Sequence, residues 1–146
     1  ELFKLFKQLK KKNILEYYLG LATVEEIDQI NILEATKLSM KRVIDKFNNP
    51  TASIIIDGNF KLEYKNANEK SIIGGDKVSL SIATASIIAK IHRDRLMSIL
   101  DNKYQHFGWK QNAGYGTKKH IDAIKEKGPT NFHRKTFEPI KSLIKE

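Results

Sequence analysis

The stretch TASIII (51–56), closed by Asp57-Gly58, constrains the fold more than any other part of the chain. It is too short for a helix and too uniformly apolar for a strand with one wet face. It reads as a strand buried on both faces, and such strands belong to sheets covered by helices. A charged Asp57 at its carboxyl end then raises two possibilities. Asp-Gly pairs ordinarily make turns through the Asp side chain. An acid at the carboxyl end of a buried strand also sits at the rim where open α/β sheets bind ligands, and Gly58 permits close approach there.

The segments around this strand carry the helical patterns it demands. ELFKLFKQLKKK sets Leu2, Phe3, Leu5, Phe6 and Leu9 near one helical side, with lysines on the other. NILEYYLGLAT (13–23) is strand-like, and Thr23 with Glu26 makes a capping box. Asn31 and Glu34 repeat that signature ahead of a helix running to NNP (48–50). FKLEY (60–64) alternates like a hairpin strand, and KSII (70–73) is a further strand closed by Gly74-Gly75. The longest helical pattern spans about Ser79 to Leu100. Its small residues Ala83, Ala85, Ser86 and Ala89 are placed for tight packing on the sheet. A helix from Lys118 to Lys127 stops at Gly128-Pro129, and a short last one starts near Glu138 or Pro139. Without repeats or linkers, the pattern predicts one α/β domain over 1–146 with a mixed sheet and a helical C-terminal part from about 103.

Composition narrows the chemistry. The 146 residues have no cysteine, which excludes disulfides and thiolate metal sites and leaves carboxylates, His or carbonyls to hold a hard cation. No apolar run approaches a membrane span and the N-terminus is unlike a signal peptide, so the chain reads as soluble and intracellular. Lys and Arg outnumber Asp and Glu 26 to 17, a formal +9, which favours a polyanionic partner.

Two acids and one loop are the candidate chemistry. Asp76 follows SIIGG as Asp57 follows its strand, so the two could share Mg²⁺ or Mn²⁺ at neighbouring strand ends. The alternative for Asp76 is a helix N-terminal acid favoured by the macrodipole. Arg93 and Asp94 read as a structural ion network, and His92 has no spaced partner as a metal ligand. In KYQHFGWKQNAGYGT (103–117), Tyr104, His106, Phe107, Trp109 and Tyr115 alternate with lysines and glycines. Rings could stack on bases or sugars while lysines meet phosphates, or the loop could pack its own rings. HRK (133–135) would extend a phosphate track, or simply be an exposed loop.

In order, EEIDQINILEATKLSMKRVI, IIIDGN, GGDKVSLSIATASIIAKIHRDRLM, HFGWKQNAGYGTKKH and GPTNFHRKTFEPIK resemble bacterial ribonuclease HII, a type 2 ribonuclease H. The resemblance implies a ribonuclease H-like mixed sheet flanked by helices, with a C-terminal helical extension. It also implies a cytoplasmic monomer that hydrolyses the RNA strand of RNA–DNA hybrids and incises at ribonucleotides embedded in duplex DNA, leaving 3′-hydroxyl and 5′-phosphate ends. Four acids of the family hold two Mg²⁺ or Mn²⁺ ions. By the same resemblance Asp57 and Asp76 are metal ligands, and Tyr115 packs on the sugar at the RNA–DNA junction.

The sequence departs from the family at one important point. The family's DE.GRG motif, with its Asp-Glu pair and the Gly-Arg-Gly backbone that reads the 2′-hydroxyl, is absent, and Glu25-Glu26 matches a different family segment. The chain is therefore expected to begin within the family's first helix, about forty residues downstream of a full member's start. Strands of the sheet and half the metal ligands are expected to be missing with that segment, and the chain alone to be inactive. A non-catalytic basic nucleic-acid-binding domain on the same fold is the alternative.

Overall fold

The computed structural model describes residues 2–144 except Asn48, Pro50, Thr51 and Asn66, and says nothing of the side chains of Leu2 and Phe3. The described chain is helix-rich, with helices α1 (Leu2–Lys11), α2 (Val24–Ile44), α3 (Leu80–Lys103), α4 (Trp109–Asn112), α5 (Lys118–Lys127) and α6 (Ile140–Leu143). Its strands are β1 (Ile54–Asp57) and β2 (Glu69–Ile72). It divides into two compact units, one of residues 1–21 and 36–91 and the other of 22–35 and 92–146.

In the first unit the described sheet is a single parallel pair, with Ile54 opposite Glu69 and Asp57 opposite Ile72. Of the expected mixed sheet, the described residues thus form one parallel pair. Burial on both faces of β1 is not observed either: Ile56 is 3% exposed, whereas Ile55 is 38% exposed. The strand alternates, so in these residues one face is packed and the other wet. Thr51, assigned to this strand from sequence, lies outside the described residues.

Parallel strands usually require a helical crossover of a dozen or more residues, yet this connection is short and irregular. FKLEY is not a strand, because its amide groups are spent elsewhere. The Glu69 carboxylate accepts from the backbone N–H of Leu62 at 2.8 Å, Glu63 at 3.2 Å and Tyr64 at 2.6 Å. Burial alone would raise the Glu69 pKa. These amides and the Lys61 charge outweigh it and hold the carboxyl below its ordinary value. Leu62, only 2% exposed, anchors the crossover in the core.

The strand-like run at 13–23 pairs with no strand among the described residues. Side chains take its carbonyls instead: Lys10 donates to Tyr17 O at 3.2 Å and Arg42 to Leu21 O at 2.7 Å. Tyr18 meets Phe47 edge to face at 4.9 Å. Gly20 runs so close to α2 that an added Cβ would lie 2.0 Å from Ser39 O, and no larger residue fits without displacement. In α3 the packed positions of this unit are Ile82 and Ile88, while Ala85, Ser86 and Ala89 are exposed. Of the four small residues the sequence assigns to packing, only Ala83 is half-buried, so Ala85, Ser86 and Ala89 do not form that face.

The capping signatures hold in the second unit. Thr23 N donates to the Glu26 carboxylate at 2.8 Å and Glu26 N to Thr23 Oγ1 at 3.2 Å. Asn31 leaves helical geometry with φ 69°, and its side chain accepts from Leu33 N and Glu34 N at 2.9 and 3.1 Å. The residue thus breaks α2 and caps its continuation. Asp28 takes Lys135 N at 2.9 Å and the hydroxyl of Thr136 at 2.6 Å, tying the start of α2 to the C-terminal loop. Leu100, Phe107, Trp109, Ile124 and Ile140 make this unit's core.

Candidate active site

β1 and β2 run parallel, so both carboxyl ends open on the same rim. Asp57 is the last residue of β1, and Asp76 lies in the 3-10 turn Gly75–Lys77 just beyond β2. The backbone joins the two: Gly75 N donates to Asp57 Oδ1 at 2.9 Å, which sets the residue before Asp76 against the Asp57 carboxylate. Gly74 supplies the left-handed turn, φ 66° and ψ 36°, that brings this amide round. Gly75 is buried beneath Ile82, whose Cδ1 would lie 2.5 Å from an added Cβ. Both acids are exposed.

The Asp-Gly turn reading of Asp57 is replaced by this contact, since its side chain bonds across to the turn after β2. Among the described residues, neither the second oxygen of Asp57 nor the Asp76 carboxylate has a hydrogen-bond or ion-pair partner. Two hard oxygen donors on one rim suit a divalent cation such as Mg²⁺ or Mn²⁺. No group of three or more His, Cys, Asp or Glu that could hold a metal occurs among the described residues. Any ion there would complete its shell with water, substrate oxygens or further acids.

Tyr115 belongs to the second unit and is 73% exposed. Hydrogen bonds hold the turn that presents it. Asn112 Nδ2 donates to Phe107 O at 2.7 Å, and Asn112 Oδ1 accepts from Gly114 N at 2.8 Å. Tyr115 N donates to Asn112 O and Thr117 N to Tyr115 O, each at 2.8 Å. Arg93 Nη2 donates to Ala113 O at 2.8 Å, where Ala113 holds φ 49°. Thr117 then caps α5 through His120 N. An exposed ring on a pinned backbone can stack on a flat partner with little ordering cost.

The sequence model of one protein family, described as Ribonuclease HII, matches residues 1–140. The chain belongs to the ribonuclease HII family. It is 48% identical over 134 residues to the ribonuclease HII of Wolbachia pipientis subsp. Culex pipiens (strain wPip), covering 92% of this chain and 68% of that protein. The ribonuclease HII of Pelagibacter ubique (strain HTCC1062) is 44% identical, covering 97% and 75%. That of Macrococcus caseolyticus (strain JCSC5402) is 49% identical, covering 88% and 48%. The chain thus spans from about half to three quarters of the length of these relatives.

Most of the loop rings at 103–117 are structural. Phe107 and Trp109 are 1% and 3% exposed and stack at 5.1 Å, and Tyr104 meets Trp109 edge to face at 5.5 Å. Of the two readings of this loop, self-packing holds for those rings, and His106 and Tyr115 are left exposed. In HRK, His133 departs from both readings, being 4% exposed and stacked on His120 at 5.3 Å, while Arg134 lies over Phe137 at 4.0 Å and Lys135 is exposed. Sequence reading passed over Glu69 and Asn112 as supports, and it gave Arg93 a structural role without its bond to Ala113 O. Asn112 ahead of Ala-Gly was the legible sign, because Asn side chains bond their own backbone two residues on.

Proposed function

We propose that this chain carries part of the active site of an endonuclease that hydrolyses the RNA strand of RNA–DNA hybrids and incises at ribonucleotides embedded in duplex DNA. The observation that carries the reading is the joint placement of Asp57 and Asp76 on one rim, held by the Gly75 amide. The family membership and the excess of basic residues support it. Asp57 and Asp76 would hold Mn²⁺ or Mg²⁺. Such ions, two to a site, supply Lewis acidity and an activated water for in-line phosphodiester cleavage that leaves 3′-hydroxyl and 5′-phosphate ends. Gly75 N–H orients one Asp57 oxygen and leaves the other directed to solvent. Tyr115 offers its ring to the sugar at an RNA–DNA junction. No helix among the described residues is long and apolar enough to cross a membrane. The reading carries with it a monomer acting in the cytoplasm.

The same donor count separates cleavage from binding. Two carboxylates cannot position two cations, so the 146 residues by themselves bind hybrid without cutting it. The second reading, a non-catalytic nucleic-acid-binding domain on the same fold, rests on the excess of basic over acidic residues, 26 to 17. One assay decides between them. The chain is joined to a segment supplying an Asp-Glu pair and given a duplex with one embedded ribonucleotide, in Mn²⁺ and in Mg²⁺. Incision at the ribonucleotide supports the nuclease, and binding without incision in either metal supports the second reading.

A further inference from the structure

The polar face of α1 takes no part in the rim. Helix α1 carries Lys4, Lys7, Lys10 and Lys11, Lys12 follows it, and no acid occurs from Leu2 to Leu15. At 3.6 residues per turn, Lys4, Lys7 and Lys11 fall within roughly 60° of one another. Phe6, 6% exposed, and half-buried Leu9 lie on the opposite side. All three lysines are exposed, and Lys4 and Lys11 have no ion-pair partner among the described residues. Lys10 serves differently. Its Nζ donates to Tyr17 O at 3.2 Å and lies 4.7 Å from the Tyr17 ring centre, fastening the helix to the segment behind it.

We infer that the Lys4–Lys7–Lys11 ridge is a separate contact surface for the phosphate backbone of a nucleic-acid duplex. From Lys4 to Lys11 the helix rises about 10 Å. One strand of a duplex advances about 3.4 Å per phosphate, so the ridge is matched to roughly three phosphates. It carries no planar or bidentate group to read bases, so the contact is independent of sequence. A basic amphipathic helix also suits an anionic lipid surface, but there the apolar face must enter the headgroup boundary. Here Phe6 and Leu9 are turned into the protein, which favours the duplex.

The inference rests on the reading of the chain as a duplex-binding protein, and the test separates the two. Binding of the intact chain, Lys4→Gln/Lys7→Gln/Lys11→Gln, Lys4→Arg/Lys7→Arg/Lys11→Arg and an equal-charge control, Lys125→Gln/Lys127→Gln/Lys141→Gln, is measured on a labelled RNA–DNA hybrid across a salt series. The expected result is that the first variant loses about tenfold in affinity and two to three units of salt slope, while the arginine variant keeps both and the control changes less. Equal loss in the control, or no loss in the first variant, overturns the ridge. Loss that the arginine variant fails to restore also overturns it. Stronger capture of the chain by phosphatidylserine vesicles than by hybrid, abolished by the same glutamines, would overturn it in favour of lipid. Failure of the unsubstituted chain to bind hybrid or DNA duplex would instead sink the duplex-binding reading itself.

Discussion

Gly75 and Asp57 are joined by a hydrogen bond of 2.9 Å from amide to carboxylate, across the carboxyl ends of two parallel strands. The bond couples packing to chemistry, because Gly75 is pressed against Ile82 while its N–H orients the acid. Gly75→Ala would set a Cβ 2.5 Å from Ile82 Cδ1. It should cost about 1–3 kcal/mol of stability through overpacking. Weaker Mn²⁺ binding should accompany that cost, since the turn must shift and carry the amide with it. Urea unfolding and a Mn²⁺ titration read the two effects separately.

Asp57→Asn keeps the shape and the acceptor for Gly75 but removes the negative charge. Divalent-cation affinity should fall by about tenfold or more, the scale on which even outer supports of a metal site matter. Hybrid binding should survive, because the change leaves the chain's excess of basic residues untouched. In an intact enzyme the same change should abolish turnover. Calorimetric Mn²⁺ titration of the chain, beside hybrid binding in a chelator, checks both halves.

What could be read in advance follows the range of the forces involved. The capping boxes at Thr23 and Asn31, the stop at Gly128 and the strand ending at Asp57 are local, and local hydrogen-bonding chemistry specifies them. The supposed strands at 13–23 and 60–64 failed for the opposite reason. Pairing is decided by distant partners, and Glu69 claims the amides of Leu62 to Tyr64 before any ladder can. Asp57 and Asp76 were legible as residues, but their connection through Gly75 was not, since it depends on strand register. The loop rings were ambiguous because an aromatic run serves a core or a ligand equally well, and only burial assigns Phe107 inward and Tyr115 outward.

Tyr115→Ala should leave stability within about 0.5 kcal/mol, as expected for an exposed side chain whose turn is held by backbone bonds. In the intact enzyme, incision at a single embedded ribonucleotide should fall more than cleavage of an all-RNA hybrid strand. Equal losses on the two substrates would count against a junction role.

Glu69→Gln should destabilise the first unit by about 1–3 kcal/mol, because a charged acceptor of backbone N–H groups becomes a neutral one. The carboxyl titrates below its ordinary value of 4.5 when folded. Its contribution is therefore present above that pH and is lost as the pH falls through the lower folded value. In Glu69→Gln this part of the acid sensitivity should disappear from a series of unfolding midpoints.

His133 acts in a higher pH window. Burial, then the neighbouring His120, lower its pKa from 6.5 to about 4, against a smaller opposing effect of the Thr130 backbone. The folded ring stays neutral down to about pH 4, whereas the unfolded ring protonates near 6.5. The unfolded state thus binds the extra proton first, so stability is whole above pH 6.5 and declines as pH falls toward 4. Trp109, the chain's single tryptophan, lies 5.1 Å from the His133 ring and reports on this unit alone. Its fluorescence should give a urea midpoint that falls between pH 7 and pH 5. Asp28, also held below its ordinary 3.8, should begin to contribute only at lower pH. A midpoint that stays level from pH 7 to pH 5 would show that the ring pair does not govern this unit's stability.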